Sequence, residues 1–156
     1  MKRNHIYQGD CLEILQTFPN DSFDCVVTSP PYYGLRQYNV EGQYGLETTL
    51  EAYIAKMVEV FREVKRVMKP TAMLWLNLGD SYAGSSSPGG YFRNGKGGDH
   101  YLRPYNRNGF NLKPKDLLGV PWRVAFALQA DGWWLRSDII FHKPNPMPES
   151  VTDRPT

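Results

Sequence analysis

Apolar residues recur at three- and four-residue steps between residues 49 and 69, which is the spacing of one face of an α-helix. The residues of this stripe are Leu50, Tyr53, Ile54, Met57, Val58, Phe61, Val64 and Met68. Thr48 and Glu51 have the spacing of a capping box, and Pro70 is expected to end the helix. The pattern therefore predicts a long amphipathic helix over residues 49–69.

Two shorter helices are predicted on either side of the long one. Apolar residues at helical spacing predict the first over residues 11–18. The second is predicted over residues 121–130, because Pro121 suits a first helical turn and Gly132 lies where a C-terminal cap is expected.

Short apolar runs predict the strands. Residues 23–28 read as a buried strand, which the two prolines after it end because proline cannot donate to a sheet ladder. Residues 72–78 are apolar on both faces, which is typical of a central strand covered by helices on both sides. Further strands are predicted at residues 5–7 and 133–142, and the paired tryptophans Trp133 and Trp134 are expected in the core.

The alternation of strands and helices implies an α/β fold with a largely parallel sheet, in one domain over residues 1–156. Periodicity is lost between about residues 80 and 114, where Ser-, Pro- and Gly-rich runs predict a flexible loop. Ligands of such folds bind at the carboxyl ends of the strands. The run that follows the strand at residues 23–28 lies at one of these ends.

The composition is 41% hydrophobic and 22% charged over 156 residues, which excludes disordered and fibrous proteins. No apolar run approaches the ~20 residues of a membrane helix, and no signal peptide is recognised, so we expect a cytoplasmic protein without a membrane partner. Cys11 and Cys25 lack metal-ligand spacing, so no metal is predicted, and we expect both to be buried structural thiols.

A net charge of +2 hides a basic stretch between residues 91 and 110. Its basic residues are Arg93, Lys96, Arg103 and Arg107, and its only acidic residue is Asp99. Tyrosines and phenylalanines lie between them. Two interpretations stay open: the cations contact DNA phosphates while the rings stack on bases, or the stretch is a solvated loop.

The sequence Ser29-Pro30-Pro31-Tyr32 directly follows the predicted strand. Successive prolines make a stiff turn, so the Ser29 hydroxyl and the carbonyls of residues 29 and 30 project as hydrogen-bond acceptors. Tyr32 places a flat aromatic face beside them. Acceptors next to an aromatic ring suit a planar ligand with an exocyclic amine, such as a nucleobase, and a plain turn is the alternative. Asp80, at the end of another strand, either lines this site or belongs to a turn.

Several motifs occur along the chain in a recognisable order. They are Gly9-Asp10-Cys11-Leu12-Glu13, residues 24–32, residues 138–148 and Asp153-Arg154-Pro155. Together they resemble the amino-methyltransferases that modify DNA at exocyclic nitrogens, whose catalytic motif is [Asp/Asn/Ser]-Pro-Pro-[Tyr/Phe/Trp]. The order is similar to the beta class, and Ser29 in the first position most resembles the cytosine-N4 subgroup. Adenine-N6 methylation is the alternative.

The resemblance implies a Rossmann-like fold that uses S-adenosylmethionine to methylate a base flipped out of double-stranded DNA, as in restriction–modification. The catalytic residues that it implies are Ser29, Pro30, Pro31 and Tyr32. In that role Ser29 and the Pro30 carbonyl accept hydrogen bonds from the target amine, and Tyr32 stacks on the base. Cofactor contacts are implied for Asp10, Thr28 and Ser29. For Asp10, a helix N-cap is the alternative.

The family binds its cofactor through a Phe-x-Gly-x-Gly loop after a strand, and the printed sequence contains no such motif. Its only Gly-x-Gly, Gly95-Lys96-Gly97, lies in a polar loop without a preceding strand. We therefore expect an incomplete catalytic half (a fragment, a truncated product or one subunit of a split enzyme) that alone does not bind the cofactor. An exposed edge at residues 23–28 would then favour self-association or a complementary half as partner. A non-catalytic nucleic-acid-binding protein and an RNA or protein methyltransferase are the alternatives.

Overall fold

The computed structural model describes residues 2–36, 38–83, 91–92, 101–102, 112–113 and 116–145. Its elements are α1 (Cys11–Gln16), β1 (Phe23–Thr28), α2 (Leu50–Val67), β2 (Met68–Leu76), β3 (Tyr91–Phe92), β4 (Tyr101–Leu102) and α3 (Val120–Ala130). β1 and β2 pair in parallel, and β3 and β4 pair as an antiparallel ribbon. The described part of the chain is therefore mixed α/β with a small parallel sheet.

Helix α2 packs against α1, β2 and α3. Its N-cap is Thr49, whose side chain accepts a hydrogen bond from the Ala52 amide at 3.1 Å, so the capping box predicted at Thr48 is wrong by one residue. The helix ends at Val67, and Pro70 does not end it but lies inside β2. The predicted apolar stripe is confirmed, because its tyrosine, methionine and phenylalanine side chains form the buried core.

The parallel sheet joins β1 to β2 with Cys25 opposite Met73 and Val27 opposite Trp75. β1 has the predicted bounds. β2 begins four residues before the predicted strand because the chain passes from helix to strand at Met68 without a turn. The carboxyl ends of the two strands therefore lie side by side.

Only one face of this sheet is covered by the residues that the structure describes. On the covered face Val26, Leu74 and Leu76 pack against the core formed by α2 and α3. On the other face the exposed fractions are 77% for Val27, 61% for Met73 and 48% for Trp75. The predicted burial of residues 23–28 and the predicted cover on both faces of residues 72–78 are thus wrong here, because the helices α2 and α3 both lie on the core side. Cys25 is on the open face, which explains why it is exposed rather than buried as expected.

The predicted start and end of helix α3, marked by Pro121 and Gly132, are confirmed. It begins after Gly119, which has a φ of 68°, and has Pro121 in its first turn. It ends in a Schellman motif, in which Gly132 has a φ of 93° and the Trp133 amide donates to the Leu128 carbonyl at 3.0 Å. Glycine reaches this left-handed conformation without steric cost, so the helix stops where the sequence indicates.

Arg66 on α2 joins α1 to the rest of the fold. Its guanidinium donates to the Leu15 carbonyl at 2.8 Å, to the Phe18 carbonyl at 2.9 Å and to the Asn20 side chain at 2.7 Å. These acceptors lie in the last turn of α1 and in the segment directly after it. Helix α1 is two residues shorter than predicted, and Cys11 at its start is exposed, not buried as expected.

Two predicted strands are not formed. Residues 5–7 have no ladder, and Tyr7 is held instead by ring contacts with His5 and Phe18 at centroid distances of 4.7 and 5.0 Å. Residues 133–142 have no strand structure, since none of the described strands runs beside them. Trp133 packs against the core as expected, whereas Trp134 is 81% exposed and its predicted burial is wrong.

Most of residues 80–114 lie outside the described residues, and the short strands β3 and β4 fall within this stretch. Among the helices that the structure describes, none is both long enough and apolar enough to cross a membrane.

Candidate active site

The Ser29-Pro30-Pro31-Tyr32 turn leaves the sheet at the carboxyl end of β1. Thr28, the last residue of β1, pairs with Leu76, and its carbonyl accepts from the Asn77 amide at 2.9 Å. Asn77 therefore continues β2 directly beside the turn. Ser29 is exposed and the two prolines are half-buried at this edge of the sheet.

Tyr32 folds back toward the start of the turn, and its hydroxyl is the meeting point of two hydrogen bonds. The Ser29 hydroxyl and the Asn77 side-chain amide each donate to it at 3.2 Å. The ring edge lies against Gly79, where an added Cβ would be 2.6 Å from Tyr32 Cε2. The structure thus brings together Ser29 and Tyr32, two of the three residues predicted to contact the base.

A buried tyrosine of α2 holds the middle of the turn. The Tyr53 side chain is fully buried, and its hydroxyl donates to the Pro31 carbonyl at 3.0 Å. Burial raises the pKa of Tyr53, and the negative charge of Glu47 raises it further. The hydroxyl therefore stays protonated and remains a donor to the turn.

The segment between the turn and α2 closes on the turn from the other side. Gly45 has a φ of 90°, and its carbonyl accepts from the Gly34 amide at 2.7 Å. A Cβ on Gly45 would be 2.9 Å from the Tyr32 carbonyl oxygen, so only glycine fits this approach without a shift. The Glu47 carboxylate accepts from the Gly45 amide at 2.9 Å, and burial raises the pKa of Glu47 above its usual value.

Asp10 is the N-cap of α1. One carboxylate oxygen accepts from the amides of Leu12 at 2.9 Å and Glu13 at 3.2 Å, and the other accepts from the Tyr44 hydroxyl at 2.9 Å. Burial acts to raise the pKa of Asp10, but the hydrogen bonds from Glu13 and Tyr44 outweigh it and hold that pKa below its ordinary value. The N-cap interpretation of Asp10 is confirmed, and because Tyr44 adjoins Gly45, α1 is tied to the segment that closes on the turn.

These contacts leave three acceptors of the turn available to a ligand, namely the Ser29 hydroxyl and the carbonyls of Ser29 and Pro30. The Pro31 carbonyl is used by Tyr53 and the Tyr32 carbonyl by the Leu35 amide at 3.3 Å. The Pro30 carbonyl accepts no hydrogen bond from the described residues, and the Ser29 hydroxyl keeps its lone pairs because it donates to Tyr32. Acceptors beside an aromatic ring are the groups that can bind a planar molecule with an exocyclic amine.

Comparison with known proteins accounts for this arrangement. A model of a family described as DNA methylase matches residues 23–156, which is most of the chain. The chain belongs to this DNA methylase family. The methylase match begins at β1 and therefore includes the Ser29-Pro30-Pro31-Tyr32 turn, α2 and β2.

Type II methyltransferases are among its relatives. The chain is 53% identical to M.SmaI of Serratia marcescens over 97% of its length and 50% identical to M.XycI of Xanthomonas campestris pv. cyanopsidis over 99%. It is 49% identical to M.Cfr9I of Citrobacter freundii over 97%. The matches cover 51%, 51% and 50% of the lengths of these relatives, so this chain spans about half their length.

Asp80 has a structural role that the sequence left open. Its carboxylate accepts from the Ser81 amide at 2.8 Å and from the Val120 amide at 3.0 Å. Gly119 offers no side chain to cap α3, so Asp80 supplies this N-terminal acceptor from a distant part of the chain. The Leu118 amide brings the segments together by donating to the Ser81 carbonyl at 2.8 Å. Asp80 is thus a capping residue of α3.

The basic residues predicted to contact DNA, Arg93, Lys96, Arg103 and Arg107, lie outside the described residues. Other residues of the site were not found by sequence reasoning. They are Gly45, Tyr53, Asn77 and Gly79, which touch the catalytic turn from three other segments. Only Gly79 carried a signal, since a lone Gly beside a strand end indicates a close backbone approach. Tyr53 was read simply as part of the apolar stripe.

Proposed function

We propose that this chain is the catalytic part of a restriction–modification DNA methyltransferase that methylates the N4 amine of cytosine. The observation that carries the proposal is the pairing of the Ser29 and Pro30 acceptors with the Tyr32 ring at the end of a parallel strand. Ligands of α/β sheets bind at this edge, which also favours a Rossmann-like arrangement in the complete enzyme. Ser29 in the first motif position favours cytosine over adenine.

The residues of the turn act by orienting the target amine. Its two N–H groups donate to the Ser29 oxygen and the Pro30 carbonyl, while the base stacks on Tyr32. This arrangement turns the nitrogen lone pair toward the methyl group that S-adenosylmethionine supplies when bound. Holding the reacting atoms in line is worth several kcal/mol of barrier, so a stiff Pro30-Pro31 turn suits the reaction.

The residues proposed for the cofactor fit it unequally. Thr28 and Ser29 lie at the carboxyl end of β1, where they can border the methyl donor. Both oxygens of Asp10 already accept hydrogen bonds within the protein. We therefore infer that Asp10 shapes the cofactor side of the site mainly by fixing the start of α1. We propose, from the sequence, that the remaining contacts come from a glycine-rich loop outside the printed sequence.

The proposed function is tested with a chimaera in which this chain replaces the matching half of the Serratia enzyme. The chimaera is incubated with radiolabelled S-adenosylmethionine and DNA that the Serratia enzyme methylates, and the product nucleosides are separated. We expect N4-methylcytosine, and about a ten- to hundred-fold lower rate after Tyr32→Ala, because a base–aromatic stack is worth roughly 1–3 kcal/mol.

Three outcomes would contradict the proposal in different ways. N6-methyladenine as product would overturn the choice of base. An inactive chimaera beside an active Serratia enzyme would overturn catalysis, and DNA binding by that inactive chimaera would favour the non-catalytic alternative. Full activity of Tyr32→Ala would make the tyrosine an ordinary turn residue.

Double-stranded DNA is the proposed partner, bound through the basic stretch. Each Lys or Arg that neutralises a phosphate steepens the salt dependence of DNA binding. Replacing Arg93, Lys96, Arg103 and Arg107 with glutamine should therefore flatten that dependence in the chimaera. An unchanged salt dependence would show that these cations do not contact DNA phosphates and lie in a solvated loop.

A second partner is proposed to cover the open sheet face, either a complementary methyltransferase half or another copy of the chain. The proposed location of the protein is the cytoplasm, where the DNA lies. Val27, Met73 and Trp75 expose apolar surface on a parallel sheet, a class of sheet usually covered on both faces. We expect the isolated chain to self-associate, and Trp75→Lys to reduce its mass in size-exclusion chromatography with light scattering. A concentration-independent monomer would overturn this.

A further inference from the structure

We propose that Asn77 and Gly79 are positioning residues for methyl transfer, because they hold the Tyr32 ring and, through its hydroxyl, the Ser29 hydroxyl. The inference rests on the proposed function, since it assigns these groups to the target base. Neither residue belongs to the motifs that carry the resemblance. Both follow β2 and reach the catalytic turn through the parallel pairing of β1 with β2.

Asn77 is attached to the turn at two points. Its backbone amide donates to the Thr28 carbonyl at 2.9 Å, which extends the sheet by one residue. Its side-chain amide donates to the Tyr32 hydroxyl at 3.2 Å. The first bond fixes the position of the Asn77 backbone beside the turn, so the second reaches Tyr32 from a defined origin.

Glycine is required at position 79 because of the nearby Tyr32 ring and not because of the backbone conformation of residue 79. A Cβ there would lie 2.6 Å from Cε2 and 2.7 Å from Cδ2 of Tyr32, distances that real Cβ contacts essentially never show. Gly79 is not among the residues with positive φ, so an L-residue could adopt its backbone conformation. The absent side chain therefore serves to let the ring edge lie against the strand end.

The hydrogen bonds at the Tyr32 hydroxyl determine the direction of the Ser29 hydroxyl proton. The phenol oxygen accepts from both Asn77 and Ser29, so the Ser29 proton is directed toward Tyr32. The lone pairs of the Ser29 oxygen are then free to accept from an exocyclic amine. If the ring swung away, the Ser29 proton would lose this acceptor and could point at the amine, where it would repel an N–H group.

The first test uses Asn77→Leu in the chimaera with the Serratia enzyme. Losing one net hydrogen bond predicts about a two- to ten-fold lower kcat, with the Kd for DNA unchanged. Gln129→Leu, an exposed amide-to-leucine change on α3, is the matched control and should leave kcat unaltered. In a Tyr32→Phe background, Asn77→Leu should cause no further loss, because the acceptor is already gone. An equal loss in both backgrounds would show that Asn77 does not act through Tyr32.

The second test uses Gly79→Ala, alone and with Tyr32→Ala. A displacement of about 1 Å in a catalytic site lowers the rate by about a hundred-fold, which is the loss expected for Gly79→Ala alone. Combined with Tyr32→Ala, the added methyl group meets no ring and should cause no additional loss. A fluorescent cytosine analogue at the target base should also lose its stacking signal in Gly79→Ala. Additive losses with an unchanged signal would overturn the proposal.

The unsubstituted chimaera separates this inference from the proposed function. If it methylates no DNA, the function is wrong, and the same two double-mutant cycles are then measured as urea unfolding of this chain. Coupling between Gly79 and Tyr32, and between Asn77 and Tyr32, would still show that both residues hold the ring. Absence of coupling in that measurement would reject the positioning role.

Discussion

Removing the Tyr53 hydroxyl should loosen the catalytic turn without disturbing the core around it. Tyr53→Phe keeps the ring, which is fully buried and lies 5.5 Å from the Tyr33 ring, but loses the 3.0 Å hydrogen bond to the Pro31 carbonyl. Among the described residues no second hydrogen bond to this carbonyl replaces the one that is lost. The variant therefore tests whether α2 positions the turn.

The expected loss follows from the burial of the contact. A net hydrogen bond contributes about 0.5–1.5 kcal/mol, and a partly buried carbonyl left without a donor costs about 1–3 kcal/mol. Since the Pro31 carbonyl is only partly buried, water recovers some of this penalty. We expect the free energy of unfolding to fall by about 1–2 kcal/mol.

Urea unfolding followed by circular dichroism measures this change. With an m-value of about 2 kcal/mol per molar urea, the midpoint should move down by about 0.5–1 M at constant m. Tyr44→Phe is the matched control, because its hydroxyl binds Asp10 at an exposed site and water can replace it. An unchanged midpoint for Tyr53→Phe, or an equal shift for Tyr44→Phe, would refute the reasoning.

Two further changes test how α1 is held. Arg66→Met should lower the free energy of unfolding by about 2–4 kcal/mol, because the partly buried carbonyls of Leu15 and Phe18 lose a charged donor, and a loss below about 0.5 kcal/mol would contradict this. Asp10 has a lowered pKa, so its ionised form stabilises the fold above its unfolded pKa, and this contribution is lost as the pH falls through its folded pKa. In urea titrations from pH 6 to below about pH 4, wild-type stability should therefore decline more than that of Asp10→Asn, and parallel pH profiles would contradict the assignment.

The local elements of this chain follow from its sequence. Two prolines after Thr28 end β1 because they cannot donate to a ladder, and this boundary is confirmed. Pro121 and Gly132 delimit α3 through fixed φ and left-handed φ, which are properties of single residues. The apolar stripe of α2 predicts its buried face, since helix geometry alone places these residues on one side.

The contacts that build the candidate site are decided by tertiary structure. Asp80 caps α3 across 40 residues of sequence, and Asn77 reaches Tyr32 across 45, so no local pattern contains either pair. The need for glycine at position 79 arises from the position of the Tyr32 ring, and this position is set by the register of β1 against β2.

The same limit explains the predictions that were wrong. A strand forms only where another strand supplies its hydrogen bonds, so residues 133–142 are strand-like in sequence but unpaired in the described part of the chain. Burial of Val27 and Trp75 depends on what packs against their face of the sheet, whereas their apolar character is a property of the residues. The sequence by itself thus determines which residues suit an element and a site, and long-range packing decides which of them meet.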